Sequence, residues 1–124
     1  MKSHSAPVKS VAISCDGKLL LSGSDDKMLK VWDLADRKFM FSINAHSHWV
    51  KSAEFSADTR LIVSGSEDKQ VKLWDITTKT LIKAFTDHSL PVNSVKFHPD
   101  GTCIAAGSLD KTIKIWDVRS ERLI

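Results

Sequence analysis

Three side-chain types recur in this 124-residue chain that together could do nucleophilic chemistry: an imidazole, a hydroxyl and a carboxylate. His46, Ser64 and Asp68 form one set, and His4, Ser22 and Asp26 repeat it at identical spacing. In a hydrolase, the Ser would attack, the His would take its proton and the Asp would orient the ring. The repetition argues otherwise, because an enzyme does not need equivalent triads in successive segments. Each set is also followed, six residues after the Asp, by a Trp: Trp32 and Trp74. A buried indole N–H needs an acceptor among its polar neighbours. These residues are therefore expected to be structural. A third set, His88, Asp110 and Trp116, carries Ala106 at the Ser position. Its indole must find water or another partner, and this segment is expected to be the less rigid one, a lost neutral hydrogen bond costing about 1 kcal/mol.

The elements that position these side chains follow from the repeat. His4, His46 and His88 align at a period of 42 residues without gaps, as do Gly23, Gly65 and Gly107, and Lys27, Lys69 and Lys111. Trp32-Asp33, Trp74-Asp75 and Trp116-Asp117 close the units. Within each unit the apolar residues alternate with period 2, which is the strand pattern. In the middle copy this predicts strands at Trp49 to Phe55, Arg60 to Gly65, Gln70 to Trp74 and Thr80 to Phe85. The turns between the first and second strands hold Asp16-Gly17 and Asp100-Gly101, but Asp58-Thr59 in the middle copy. A β-branched residue in the left-handed region costs roughly 1–2 kcal/mol, so a changed turn type is expected there. Four short strands joined by turns make an antiparallel meander. One such meander with two apolar faces cannot bury both alone, whereas stacked copies can.

Composition excludes several classes. Hydrophobic residues are 42% and charged residues 27%, which is ordinary for a globular chain. Lys+Arg is 18 against Asp+Glu 15, and the +3 balance is spread without a basic run. This disfavours a nucleic-acid arm or a polybasic membrane patch, so neither nucleic acid nor membrane is expected as a partner. The longest aliphatic run is Leu19-Leu20-Leu21, far short of the ~20 residues that span a bilayer. Met1 to His4 leads into alternating residues rather than a secretory apolar region. Cys15 and Cys103 are far apart and lack metal spacing, so an intracellular, reducing setting is expected. His48 and His98 stand alone, 50 residues apart, and no Gly-rich phosphate loop is present. No metal, cofactor, small-molecule substrate or catalytic residue is expected.

Four strands per unit, about 40–45 residues per unit and a closing Trp-Asp resemble the WD40 family of β-propellers. The resemblance covers the whole chain and implies an all-β fold of three four-stranded antiparallel blades, residues 1–43, 44–86 and 87–124, belonging to a larger ring. It also implies a specific network in which Trp donates to Ser, Ser to His and His to Asp. Carried over by position, the networks are His4-Ser22-Asp26-Trp32 and His46-Ser64-Asp68-Trp74, with His88, Asp110 and Trp116 the incomplete third. The same resemblance implies that one ring face is built from the first-strand starts and the second-to-third-strand turns. That face carries Pro7, Lys9 and Asp25, then Trp49, Lys51 and Glu67, then Pro91, Asn93 and Leu109. Trp49 has no aromatic counterpart in the other copies, and Trp is enriched at interface hot spots, which makes it a candidate partner contact. Arg37, Lys38, Lys79, Lys83, Arg119 and Arg122 form a second, basic group beside the outer strands. Such charge either blunts edge pairing or attracts an acidic surface such as tubulin.

A finer likeness is carried by His4 to Val11, His46 to Val50, Arg60 to Ser64, Gly101 to Ala106 and Trp116 to Arg119, with the Arg37-Lys38-Phe39 loop. These stretches resemble the middle blades of the protein-of-centriole-one family. That resemblance implies a seven-bladed propeller followed by a coiled coil, acting as a structural component of centrioles and basal bodies in cilium formation. It implies centriolar or microtubule-associated protein partners. The contrasting reading is an adaptor or substrate-recognition subunit of ubiquitin-ligase or signalling complexes. Three blades do not close a ring, and Leu123-Ile124 falls inside the expected outer strand of the third blade. The chain is therefore expected to be part of a longer one, with closure by several copies the other solution.

Overall fold

The computed structural model describes residues 6–120 and residue 123. His4 and Arg122 lie outside the described residues. The described residues form eleven strands: β1 Val8–Ile13, β2 Leu19–Ser24, β3 Met28–Asp33, β4 Lys38–Asn44, β5 Val50–Phe55, β6 Leu61–Ser66, β7 Val71–Asp75, β8 Thr80–Phe85, β9 Val92–Phe97, β10 Cys103–Ser108 and β11 Ile113–Asp117. They make three antiparallel sheets, each a meander in which every strand pairs with the next in sequence. The first and second sheets have four strands. The third has three described strands, β9-β10-β11, and an isolated bridge pairs Trp116 with Leu123. The period-2 reading placed the middle-copy strands within one residue of where they form. Trp49, Arg60 and Gln70 stay outside, while Ser66 and Asp75 join.

The strand alternation decides which face each residue buries. In β6, Ile62 faces the first sheet's core and its neighbour Val63 faces the third sheet's core, and both are fully buried. In β7, Trp74 and Leu73 divide in the same way. Two cores result, one on each side of the middle sheet. The first joins Leu21, Leu29 and Val31 to Val50, Phe55 and Ile62. The second joins Val71, Leu73 and Phe85 to Val92, Phe97 and Trp116. Inner strand β5 packs beside both β1 and β9. Polar contacts lock this stacking. Ser10 Oγ accepts from the Ala53 N–H at 3.2 Å, and Ser52 Oγ accepts from the Val95 N–H at 3.3 Å. Two glycines allow the close approach. A Cβ on Gly23 would stand 2.7 Å from Val50 Cγ1, and one on Gly65 would stand 2.7 Å from Val92 Cγ1.

The first-to-second-strand turn keeps one geometry in all three sheets. Gly17 has φ 73° and Gly101 has φ 76°. Thr59 adopts φ 60° in the same place, so the expectation of a changed turn type in the middle copy is wrong. Local hydrogen bonds override the steric preference. Asp58 Oδ1 accepts from Ser56 Oγ at 2.6 Å and from the Arg60 N–H at 3.1 Å, and Ser56 Oγ accepts from the Leu61 N–H. The first turn repeats these bonds with Ser14 and Asp16. The aligned lysines Lys27, Lys69 and Lys111 likewise sit at φ 72°, 71° and 69° in the second-to-third-strand turns.

Candidate functional site

The middle sheet brings His46, Ser64, Asp68 and Trp74 within hydrogen-bond distance of one another in turn. His46 lies in the segment before β5, Ser64 in β6, Asp68 in the β6–β7 turn and Trp74 in β7. The Trp74 indole donates to Ser64 Oγ at 3.0 Å. Ser64 Oγ lies 2.8 Å from His46 Nε2, and His46 Nδ1 lies 2.8 Å from Asp68 Oδ2. The only arrangement satisfying every group has the Ser hydroxyl donating to Nε2 and Nδ1–H donating to the carboxylate. Asp68 also accepts the backbone N–H groups of Ser47 and Gln70. Burial raises the Asp68 pKa, but the His46 hydrogen bond and charge interaction and these two N–H groups outweigh it and hold it below the ordinary carboxylate value. Ser64 is fully buried, with its oxygen committed to the indole and the imidazole. A nucleophile would need that oxygen open to a substrate.

The other two copies divide the same task differently. In the first sheet the Trp32 indole reaches Ser22 Oγ at 3.5 Å, and His4, expected to complete the set, lies outside the described residues. Asp26 accepts the Met28 N–H at 3.1 Å. In the third sheet His88 Nδ1 meets Asp110 Oδ2 at 2.9 Å, so the His–Asp half survives. Ala106 removes the hydroxyl. The Trp116 indole donates instead to Asp87 Oδ2 at 2.7 Å, and Trp116 is fully buried. His88 Nε2 is buried and has no hydrogen-bond partner among the described residues. Asp87 was missed in the sequence reading. Its signal was present, because the aligned residue of the middle copy is Ala45: one acceptor disappears at position 106 as another appears at position 87. The Thr112 hydroxyl, followed by the His88 and backbone hydrogen bonds, holds the Asp110 carboxyl far below its ordinary pKa, against desolvation.

The expected rim residues also come together sheet by sheet. The carbonyls of Pro7, Trp49 and Pro91 accept from the N–H groups of Asp25, Glu67 and Leu109 at 3.0, 2.9 and 3.1 Å. The same three carbonyls accept from the hydroxyls of Ser24, Ser66 and Ser108 at 2.9, 2.8 and 2.9 Å. These serines pin the first-strand start to the turn. They too were missed, although Gly-Ser recurs at the repeat period in positions 23–24, 65–66 and 107–108. On this common frame the side chains differ. Lys9 pairs with Asp25 at 3.8 Å and Lys51 with Glu67 at 3.3 Å, while Asn93 and Leu109 replace the pair with neutral groups. The Lys51 ammonium also stands 6.0 Å from the Trp49 ring centre. Trp49 is 48% exposed, and Leu90 and Leu109 beside Pro91 are exposed as well. Of the basic group, Lys79 lies over the Phe41 ring at 4.9 Å, and Lys38 and Lys83 project from the outer strands β4 and β8. Among the described residues no group of three or more His, Cys, Asp or Glu is placed to hold a metal ion.

Compared with known families, residues 1–33, 37–75 and 79–117 match the one described as WD domain, G-beta repeat. The second and third matched segments each take the outer strand of one sheet with the first three strands of the next. The WD repeat-containing protein SL1-17 of Schistosoma mansoni is 51% identical over 37 residues, 30% of this chain and 12% of that protein. The nuclear distribution protein PAC1 of Candida albicans is 51% identical over 35 residues, 28% of this chain and 7% of that one. The small ribosomal subunit protein RACK1 of Medicago sativa is 45% identical over 42 residues, 34% of this chain and 13% of that one. The matched stretches thus span about a tenth of these relatives' lengths.

Proposed function

We propose that this chain, which belongs to the WD domain, G-beta repeat family, is a non-catalytic protein-interaction scaffold whose partner docks on the first-strand rim. The observation that carries the reading is the rim itself. A twice-bonded carbonyl holds each first-strand start rigid, while the outward side chains vary from copy to copy. Rigid backbone with variable side chains is how a repeat scaffold separates fold from specificity. Trp49 is the anchor: a large aromatic, half exposed, steadied by Lys51. Proteins are the partner class. Nucleic acid, membrane and small-molecule substrates are not part of the proposal, because the +3 charge is spread and the His/Ser/Asp set is spent on the indole.

The finer proposal places the scaffold inside the cell at centrioles and ciliary basal bodies, with centriolar or microtubule-associated partners. It rests on the likeness of His46 to Val50, Arg60 to Ser64 and Gly101 to Ala106 to the protein-of-centriole-one family. The test is imaging of the tagged chain beside a centriole marker in dividing cells, with Trp49→Ala in parallel. Coincident signal that Trp49→Ala abolishes, with a thermal midpoint that hardly moves, is the expected result. Diffuse signal from the wild-type chain overturns the centriolar placement and moves the adaptor reading to first place. Unchanged signal from Trp49→Ala overturns the rim assignment.

A further inference from the structure

The middle sheet is covered on both faces, by the first core on one side and the second on the other. Apolar side chains that stay exposed on it are therefore not waiting for a neighbouring sheet. Leu81 and Ile82 on β8 are exposed all the same, at 45% and 40%. β8 is the outer strand of its sheet and bonds to β7 on one side only. Alternate N–H and C=O groups along its free side thus have no strand partner. The pairing slips beside these two residues: Lys83 faces Leu73, Leu81 faces Trp74, and Ile82 faces no residue of β7. This bulge leaves two consecutive apolar side chains in solvent on the edge strand. The outer strand β4 of the first sheet repeats the feature at the same repeat positions, with Phe39 exposed and Met40 bulged out.

The charge along this edge has one sign. Lys79 precedes β8 and Lys83 lies in it, Arg37 and Lys38 open β4, and neither strand contains an acidic residue. Lys79 lies over Phe41 of β4, which ties the two outer edges together. Lys38 and Lys83 have no ion pair among the described residues. Asp75, opposite Thr80, spends its Oδ1 on the Thr77 and Thr78 N–H groups. A lysine on an edge strand discourages pairing with an equal edge, because a second copy would set lysine against lysine. It favours an acidic strand, and blunting alone does not call for an exposed apolar pair beside it. We propose that the outer edge of β8 takes an extended, acidic segment of a partner protein, added as a further strand. Its apolar side chains rest on Leu81 and Ile82, and its carboxylates come within reach of Lys83. Main-chain bonds supply the affinity of such an addition, and the side chains supply the specificity. This contact is separate from the first-strand rim, which lies across the sheet at β5.

The test is binding of a short fluorescent peptide that alternates glutamate and valine, read by anisotropy on the purified chain, with amide exchange followed by mass spectrometry. The peptide is expected to bind and to slow exchange in β8. The same peptide with lysine in place of glutamate should not bind. Methylating its backbone nitrogens removes the main-chain donors and should abolish binding. Lys83→Glu should weaken binding about tenfold at low salt, since an attraction becomes a repulsion. Ile82→Thr keeps a strand-forming residue but removes apolar surface, so it should weaken binding with an unchanged near-ultraviolet dichroism spectrum. Failure of the glutamate peptide to bind overturns the proposal, as does equal binding of the lysine or the methylated peptide. Protection that falls on the Trp49 rim instead of β8 overturns it too, and so does a folded Lys83→Glu chain that binds as tightly as wild type. Self-association of the chain that Ile82→Thr abolishes makes a second copy the occupant, with the same consequence.

Discussion

The middle and third sheets bury the same indole in the same place but satisfy it differently. In the middle sheet one hydroxyl serves two neighbours, because Ser64 Oγ takes the Trp74 N–H and reaches His46 Nε2. In the third sheet the load is divided: Asp87 takes the Trp116 N–H, and His88 Nδ1 keeps its bond to Asp110 with the Thr112 hydroxyl at 3.4 Å. Among the described residues, the first solution pairs every polar side-chain atom from Trp74 to Asp68, while in the second His88 Nε2 finds no partner. The difference shows that what the fold requires here is an acceptor at the indole, not a particular residue. An unmet buried donor costs roughly 1–3 kcal/mol, enough to keep some acceptor in place.

Changing the shared indole should have the largest effect. Trp74→Ala removes a buried aromatic of the first core and should cost about 3–5 kcal/mol in urea unfolding. A loss below 1 kcal/mol would mean that Trp74 is not a core residue. Ser64→Ala should cost less, roughly 2–4 kcal/mol, because it strands both the indole and the imidazole. Adding Ala45→Asp imports the third sheet's solution and should recover about 1 kcal/mol of that loss. If the double variant is no more stable than Ser64→Ala, the two acceptors are not interchangeable.

The pH dependence sharpens the same comparison. Asp68 is held below its unfolded value of 3.8, so its contribution is fully present above that value and fades as pH falls through the lower folded value. In that window the unfolded chain binds the extra proton, so stability must rise with pH. Urea titrations should therefore show stability level near neutrality and falling below about pH 4. Asp68→Asn should lower the neutral plateau and flatten this acid limb. An acid limb as steep as the wild type's would assign the protons elsewhere. The smallest effect is expected at the middle turn. Thr59→Gly relieves the left-handed strain at φ 60° but loosens the unfolded chain, for a net gain of roughly 0.5–1 kcal/mol. A raised melting temperature is the expected readout, and a lowered one would show that the Thr59 side chain stabilises the turn.

Most of the architecture was legible because it is local and repeated. Alternation placed each middle-copy strand within one residue, and the 42-residue register identified the His46, Ser64, Asp68 and Trp74 set before any distance was known. The misses have physical reasons. Thr59 was expected to change its turn because propensity is a steric average. In the chain, the Ser56 and Asp58 hydrogen bonds hold the left-handed geometry regardless. Asp87 was missed because it lies 29 residues before Trp116, on a segment whose path depends on β9 docking against β5. The rim serines were missed because a hydroxyl beside a glycine reads as turn chemistry until its carbonyl partner is in place.

The strands and the three-fold repeat follow from spacing along the chain, and the middle network was what the WD40 resemblance implied by position. Which acceptor Trp116 uses, and which apolar faces are covered, emerged from the packing of the sheets. Those outcomes depend on how separate sheets approach one another. The periodicity of a strand names two faces but does not say what lies against either.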